Sequence, residues 1–415
     1  MNLASATAAL FAGTSPLAHA EEVQLPDTNP TSPTSSSEAW AKWSGSVGNL
    51  YYAEQDRVTA VEPVVSLTAE FSGERRWTNK LVLDTLTGAS HNGAVMANVP
   101  QTFTSPSGNG SYTIAPGEIT LDPTFKDTRI ALSSSWSQPL GANYEFSTGI
   151  NGSKEYDFTS LSVNGSVSRY LNNKNTKASL GLSLEMDSIA PVGGAPLGLS
   201  TMASKVTTGT SDSKQVLDLL FGLTQVMNRQ WIVQLNYNLG MSSGYMNDPY
   251  KIISEVTAAG PNAGDPSGTY YYDKRPDKRL KHSVFVDSKF HTDGWGILGT
   301  SYRYFFDDWG INSHTFDIDY RIALGKKWYV EPSVRYYMQS EADFYKYFHV
   351  QGAALPEFMS ADYRLGKMTA ITFGVEVGRK LDSYGKEISF RAQLYTQSGD
   401  NKPSEAFGNL RNVDL

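Results

Sequence analysis

Between residues 314 and 339 the chain reads HTFDIDYRIALGKKWYVEPSVRYYMQ, apolar at every second position on both sides of a short Gly-Lys-Lys break. His314, Phe316, Ile318, Tyr320, Ile322 and Leu324 alternate with Thr315, Asp317, Asp319, Arg321 and Ala323. The pattern restarts with Trp328, Val330, Val334, Tyr336 and Met338 set against Glu331, Ser333, Arg335 and Gln339. A side-chain period of two belongs to a β-strand with two unlike faces. These residues therefore predict a hairpin that is apolar on one side and polar on the other. What the apolar side meets, a protein core or lipid, decides what the chain folds into.

The alternation recurs along the whole chain. It predicts strands near 44–54, 60–72, 76–86, 128–139, 142–152, 157–170, 176–187, 215–227, 230–243, 281–291, 295–307, 312–324, 328–340, 367–380 and 386–397. Most are long for a soluble protein, where about five or six residues is usual, and they suit a tilted strand crossing a bilayer. Their connections fall into two sets. Short ones lie at 73–75, 140–141, 171–175, 228–229, 292–294, 325–327 and 381–385. The alternate set, at 55–59, 87–127, 153–156, 188–214, 244–280, 308–311 and 341–366, holds every long segment. Tight turns at one end and long loops at the other are the mark of bacterial outer-membrane barrels. Aromatic residues gather toward strand ends, as in an interfacial girdle. The predicted fold is all-β, a transmembrane antiparallel β-barrel of about 16 strands in residues 44–415. Counting from a periplasmic N-terminus leaves the fifteenth strand without a return partner. Single-chain bacterial barrels have even strand numbers and typically finish on an aromatic residue, whereas this chain ends Asp414-Leu415. The expectation is that a last strand is missing.

Composition narrows the functional classes. The chain has 415 residues, no Cys, 19% charged residues and a net charge of −7. Without Cys there are no thiolate metal sites, disulfides or c-type haem attachment, and an acidic balance gives no support to nucleic-acid binding. The mean hydropathy is −0.35, a value that a polar lumen face produces by dilution. Residues 1–20 (MNLASATAALFAGTSPLAHA) resemble a secretory signal with an A-x-A cleavage site, although no Lys or Arg precedes Lys42. Residues 21–43, rich in Pro, Ser and Thr, predict a flexible leader.

Several stretches are distinctive: LYYAEQDRVTAVEP (50–63), LDTLTGASHNGA (83–94), SGYMNDPYK (243–251), YRYFFDDWGINSHT (302–315), EPSVRYYMQSEADFYKY (331–347) and SADYRLG (360–366). They resemble a family of outer-membrane proteins catalogued as a domain of unknown function, number thirty-five-seventy, and the resemblance runs from about residue 45 to the end. The resemblance implies the barrel fold but no established activity. Members of that family are often encoded near a flavin-transferase, a thioredoxin-like protein and a small lipoprotein, which implies a cell-envelope partner.

If the even residues of 314–339 face lipid, the odd ones face the lumen. The pore-lining candidates are Arg303, Asp317, Asp319, Arg321, Glu331, Arg335, Glu376 and Arg391. A three-residue turn at 325–327 would set Arg321 against Glu331 and Asp317 against Arg335. Such a cluster could filter solutes by charge, or its pairs could simply fix strand register. Lys274, Arg275, Lys278, Arg279 and Lys281, beside a Tyr run, are candidates for an external patch holding anionic lipid phosphates; a solvated strand end is the alternative. LDTLTGASHNGA predicts an ordered turn into the 87–127 loop, with contact to the lumen wall through Asp84 and Thr87 as the other option.

No catalytic residues, metal site or cofactor are expected. Ser313 and His314 are adjacent, so they point to opposite faces of a strand. Neither a G-x-S-x-G elbow nor metal-ligand His spacing occurs. The leading expectation is porin-like passage of small solutes across the bacterial outer membrane, by a protein that is not an enzyme. The alternative is a plugged barrel serving as scaffold for a lipoprotein or an envelope redox component, with an outer-membrane hydrolase a weak third. Whether the 87–127 and 244–280 loops fill the lumen or stand clear separates the first two.

Overall fold

The computed structural model describes residues 41–54, 57–107, 110–260, 262–294, 296–381 and 386–399. The expected signal peptide, nearly all of the leader and the segment after Gly399 lie outside these residues. One antiparallel sheet of fifteen strands dominates, each strand paired with its neighbours in sequence. The strands are Lys42–Ala53, Val58–Phe71, Arg75–His91, Leu121–Leu140, Tyr144–Lys154, Phe158–Leu171, Thr176–Ile189, Asp212–Asn228, Trp231–Gly244, Lys278–Thr292, Gly296–Asp307, Asn312–Leu324, Trp328–Gln339, Met368–Lys380 and Glu387–Gly399. All fifteen expected strands are present. The third and fourth run several residues past their expected ends, to His91 and from Leu121.

The two faces of the sheet follow the sequence alternation. Leu161, Leu180, Met186, Ile318 and Phe373 are all more than half exposed on one face, with no core to cover them. Facing the other way are Ser, Asn, Asp, Glu, Lys and Arg. Soluble proteins do not leave a continuous apolar band of this extent in water. Hydrocarbon is the solvent that such a face fits, and antiparallel strands cross bacterial outer membranes with this alternation. The chain is an outer-membrane β-barrel protein, and lipid is what the apolar side of 314–339 meets.

Aromatic residues mark both edges of the band. Near the tight turns Trp77 stacks edge-on against Trp43 at 6.3 Å and donates from Nε1 to Ser134 Oγ at 2.9 Å. Near the loops Tyr237, His282, Phe306, Tyr304 and His314 follow one another across neighbouring strands. Amphipathic rings belong at this depth, half in hydrocarbon and half among head groups.

The sheet is strongly curled. Ten strand spacings separate the third strand from the thirteenth, about 48 Å on a flat sheet. Yet His91, ending the third, meets Tyr363, beyond the thirteenth, with ring centroids 6.4 Å apart. Among the described residues the first and fifteenth strands each pair on one edge only, and nearly every residue of both is exposed. No sixteenth wall strand occurs among them.

The long connections carry structure of their own. Gln101–Thr104 and Ser111–Ile114 form a hairpin, Ala195–Pro196 pairs with Thr207–Gly209, and Ile252–Val256 lies between Pro266–Tyr272 and His349–Val350. These loops bury their apolar residues against one another. Ala94, Phe103, Tyr112 and Ile114 pack on Ile252 and Tyr272, while Ile253 packs on Met359 and Ala361. The protein's driest packing is therefore at the loop end, not inside the sheet.

Candidate functional site: a charged lumen wall beneath a mouth built of loops

The eight pore-lining candidates fall on one face of strands eleven to fifteen. Asp317 pairs directly across the strands with Arg335, whose Nε lies 2.5 Å from its carboxylate. Arg321 Nε stands 2.5 Å from Glu331, the pairing that the three-residue turn predicts. Lys289, which the sequence did not single out, holds Asp319 at 3.1 Å. Glu331 and Glu376 are placed opposite each other by register, an arrangement that repels. Arg391 relieves it, reaching Glu376 at 2.5 Å and Glu331 at 3.9 Å. Tyr329 adds a hydroxyl donated to Glu376 at 2.6 Å. Each of these four acids is thus met by a base one or two strands away, and this part of the wall is a lattice of cross-strand pairs. Arg303 is the exception: its guanidinium lies 5.1 Å from the centre of the Phe285 ring.

The opposite part of the lumen face is different in kind. Strands five to seven present Ser147, Gly149 and Asn151, then Ser160, Ser162, Asn164, Ser166 and Ser168, then Ser179, Gly181 and Ser183. Ser168 and Ser179 share a hydrogen bond at 2.9 Å, and Asn151 donates to Ser162 at 3.1 Å. Hydroxyl and amide groups with no charge line this side through the middle of the strands.

The basic run 274–281 does not form one surface. Arg279 turns inward, its NH2 lying 2.5 Å from Asp307 and its guanidinium 4.3 Å from the centre of the Trp309 ring. Arg275 is buried between Asp273 and Asp362 at 2.6 and 3.0 Å. Lys281 lies on the lumen face beside Asp218, and Lys274 lies over the Phe358 ring at 5.5 Å. Lys278 is exposed. A patch of five bases open to lipid phosphate is not what the fold presents, because most of these charges already have partners within the protein.

The loops converge on a second cluster that sequence reading did not assemble. Arg364 takes Asp362 at 2.5 Å and Asp248 at 2.8 Å. Asp273 accepts from the Asp248 backbone N–H at 2.8 Å, and Lys251, fully buried, donates from Nζ to the His91 carbonyl. Three of the distinctive stretches, LDTLTGASHNGA, SGYMNDPYK and SADYRLG, meet here. Each supplies one or two ionisable groups, so no local spacing announces the site. Burial pushes the Asp248 carboxyl up, and Arg364, Lys251 and Arg275 pull it down. Asp362 is held well below the usual carboxylate range, since burial is overcome by Arg364, Lys251 and Arg275.

His91 is the point where this cluster joins the wall. LDTLTGASHNGA is not a simple turn: strand pairing continues through it to His91. Gly88 permits the bend, with φ of +122° and the Arg57 carbonyl oxygen 1.9 Å from where a Cβ would stand. Asp84 does face the lumen, with Arg129 NH2 at 2.5 Å. Burial and the nearby Lys251 press the His91 imidazole down to about 3, so it is neutral at physiological pH. Its Nδ1 accepts from the Gly93 N–H at 3.1 Å. Beside it, His91, Asn92, Tyr112, Asp122, Tyr250 and Lys251 line a cavity of about 10 Å³, large enough for about one water.

Other chemistries find no constellation. Ser313 is buried facing inward, whereas His314 faces outward with Nδ1 2.8 Å from the Tyr302 hydroxyl, so the two do not meet. Among the described residues no group of three or more His, Asp or Glu is placed to hold a metal ion.

A family model described as "Protein of unknown function (DUF3570)" matches residues 1–415. No curated protein matches the chain. Among solved structures the chain is similar to the siderophore receptor PirA from Pseudomonas aeruginosa. The two are 9% identical over 87% of this chain and 57% of that one, with a TM-score of 0.39. It is also similar to the toluene transporter TodX from Pseudomonas putida, at 10% identity over 72% of this chain and 83% of that one, TM-score 0.33. The open form of the ferric-catecholate import receptor Fiu from E. coli K12 gives 8% identity over 88% and 67%, TM-score 0.36. The chain thus spans 57% of the PirA receptor's length.

Proposed function

The chain belongs to the DUF3570 family, and from that premise we propose that it passes small polar solutes through its lumen, with the loop assembly restricting the mouth. The observation that carries this reading is the polar inner face, charged on strands ten to fifteen and hydroxyl-lined on strands five to seven. A wall built only for rigidity has no need of charges that remain half in water, such as Arg335 at 51% side-chain exposure. Swelling of proteoliposomes in sugars and amino acids of graded size tests it. Uptake that falls steeply with solute size supports restricted passage; no swelling with any solute removes the reading.

The meeting of the 92–120, 245–277 and 340–367 loops favours a second reading. The loop body then closes the lumen and serves as docking surface for a lipoprotein or another envelope partner. Neither reading gives the protein a catalytic role. A silent, correctly folded barrel that retains a lipoprotein on purification supports the second.

A further inference from the structure

Of the arginines that the sequence places in the lumen, one has no ion pair among the described residues. Asp319 is taken by Lys289, Glu331 by Arg321, and Glu376 by Arg391 and Tyr329. Both oxygens of Asp317 are engaged, one by Arg335 and the other by the Ser301 hydroxyl at 3.2 Å. Arg303 stands in the same inward row, opposite Phe285 and Thr315, with no carboxylate in ion-pair distance among the described residues. Its buried Nε has no hydrogen-bond partner there. The Phe285 ring supports the guanidinium from one side, and a cation–π contact of this kind uses none of its N–H donors. Asp287, diagonal to Arg303 on the tenth strand, also forms no ion pair among the described residues.

We propose that Arg303 is a solute-binding residue of the lumen and that its ligand is the carboxylate of a small organic solute. A guanidinium fork matches the two oxygens of a carboxylate and is over-represented where that group is recognised. The other arginines of the wall are held by protein acids; this one is held by a ring and is free to exchange. A simple carboxylate uses Arg303 alone, whereas one that also carries an ammonium group has Asp287 for its other end. The physiological meaning of the site rests on the passage reading, but binding does not require flux.

Saturation-transfer NMR on the full chain refolded in detergent tests this with acetate, alanine and ethylene glycol as probes. The expected result is a signal from the carboxylates at least fivefold above glycol. Arg303→Gln abolishes it and Lys327→Gln, in the exposed turn between the twelfth and thirteenth strands, keeps it, each variant being checked for the heat-shifted gel mobility of a folded barrel. Arg303→Lys, which retains the charge without the fork, keeps only part of the signal. Alanine exceeding acetate, with the excess lost in Asp287→Asn, assigns an amino-acid-like ligand; equal signals assign a simple carboxylate. Carboxylates no stronger than glycol, or undiminished binding in Arg303→Gln, overturn the proposal. Binding without solute uptake leaves Arg303 its role and removes the passage reading alone.

Discussion

Carboxylates and arginines build ion pairs in two places, and the two differ in nearly every physical respect. On the lumen wall Arg335 and Arg391 are 51% and 52% exposed at the side chain. In the mouth cluster Arg364 is 15% exposed and its partner Asp362 1%. Wet pairs are screened and contribute a few tenths to about 1 kcal/mol each. Buried ones cost desolvation to form, and removing one partner leaves a charge that neither water nor protein compensates, at about 3–5 kcal/mol. The wall is thus held by strand pairing, and its charges are free to deal with solute. The mouth has little regular structure beyond short strands, and its charges hold it together.

Breaking the mouth should therefore have the largest effect. Arg364→Met strands Asp248 and leaves Asp362 with Arg275 alone, and should destabilise the loop assembly by about 3–5 kcal/mol. Hydrogen exchange should read it as lost protection across 245–277 and 340–367, with the wall strands unchanged. If the wall exchanges too, the separation into two regions is wrong.

The outer face comes next. Leu182, at the middle of its strand and 42% exposed, should tolerate no charge if it faces hydrocarbon. Leu182→Arg should cost about 2–4 kcal/mol in a bilayer, the range for the midplane of such barrels, measured by urea unfolding in lipid vesicles. A neutral outcome would contradict the lipid assignment.

Acid should loosen the mouth selectively. The His91 imidazole is lowered in the folded protein to about 3 from an ordinary 6.5 or so. The folded state therefore resists its protonation, and the stability this represents is present above about pH 6.5 and is lost as pH falls toward 3, by about 1.4 kcal/mol per unit. Asp362, also lowered, loses stability in the same direction below about pH 4. Protease sensitivity of the loops should rise between pH 6.5 and 4.5, and His91→Asn should abolish the upper part of that rise. A pH-independent digest would refute the mechanism.

Wall pairs should give the smallest stability change and a functional one instead. Replacing Arg303 and Arg335 together by Ser should alter unfolding by less than about 2 kcal/mol and move the reversal potential toward cations. An unchanged reversal potential would mean that these charges do not face the permeating solute.

The same contrast explains what could be read in the sequence. Period two fixed both faces of each strand, and a three-residue turn fixed the register that sets Asp317 against Arg335. Those are local facts, carried by residues a few positions apart. The mouth cluster joins His91, Asp248, Lys251, Asp273, Arg275, Asp362 and Arg364 from distant loops, and only the curl of the sheet brings them together. Arg275 illustrates the limit. In sequence it lies in a basic run beside lysines, while in the fold its neighbours are Asp273 and Asp362. The serine wall was missed for another reason: small polar residues give a weak signal singly, and their meaning lies in three adjacent strands showing the same face.

Single-channel recording of the refolded protein in a planar bilayer, wild type beside Arg364→Met, tests the account most directly. Small, stable conductance steps in the wild type, enlarged when the mouth cluster is broken, are the predicted result. Silence from both proteins, with the barrel folded and heat-modifiable, would contradict it.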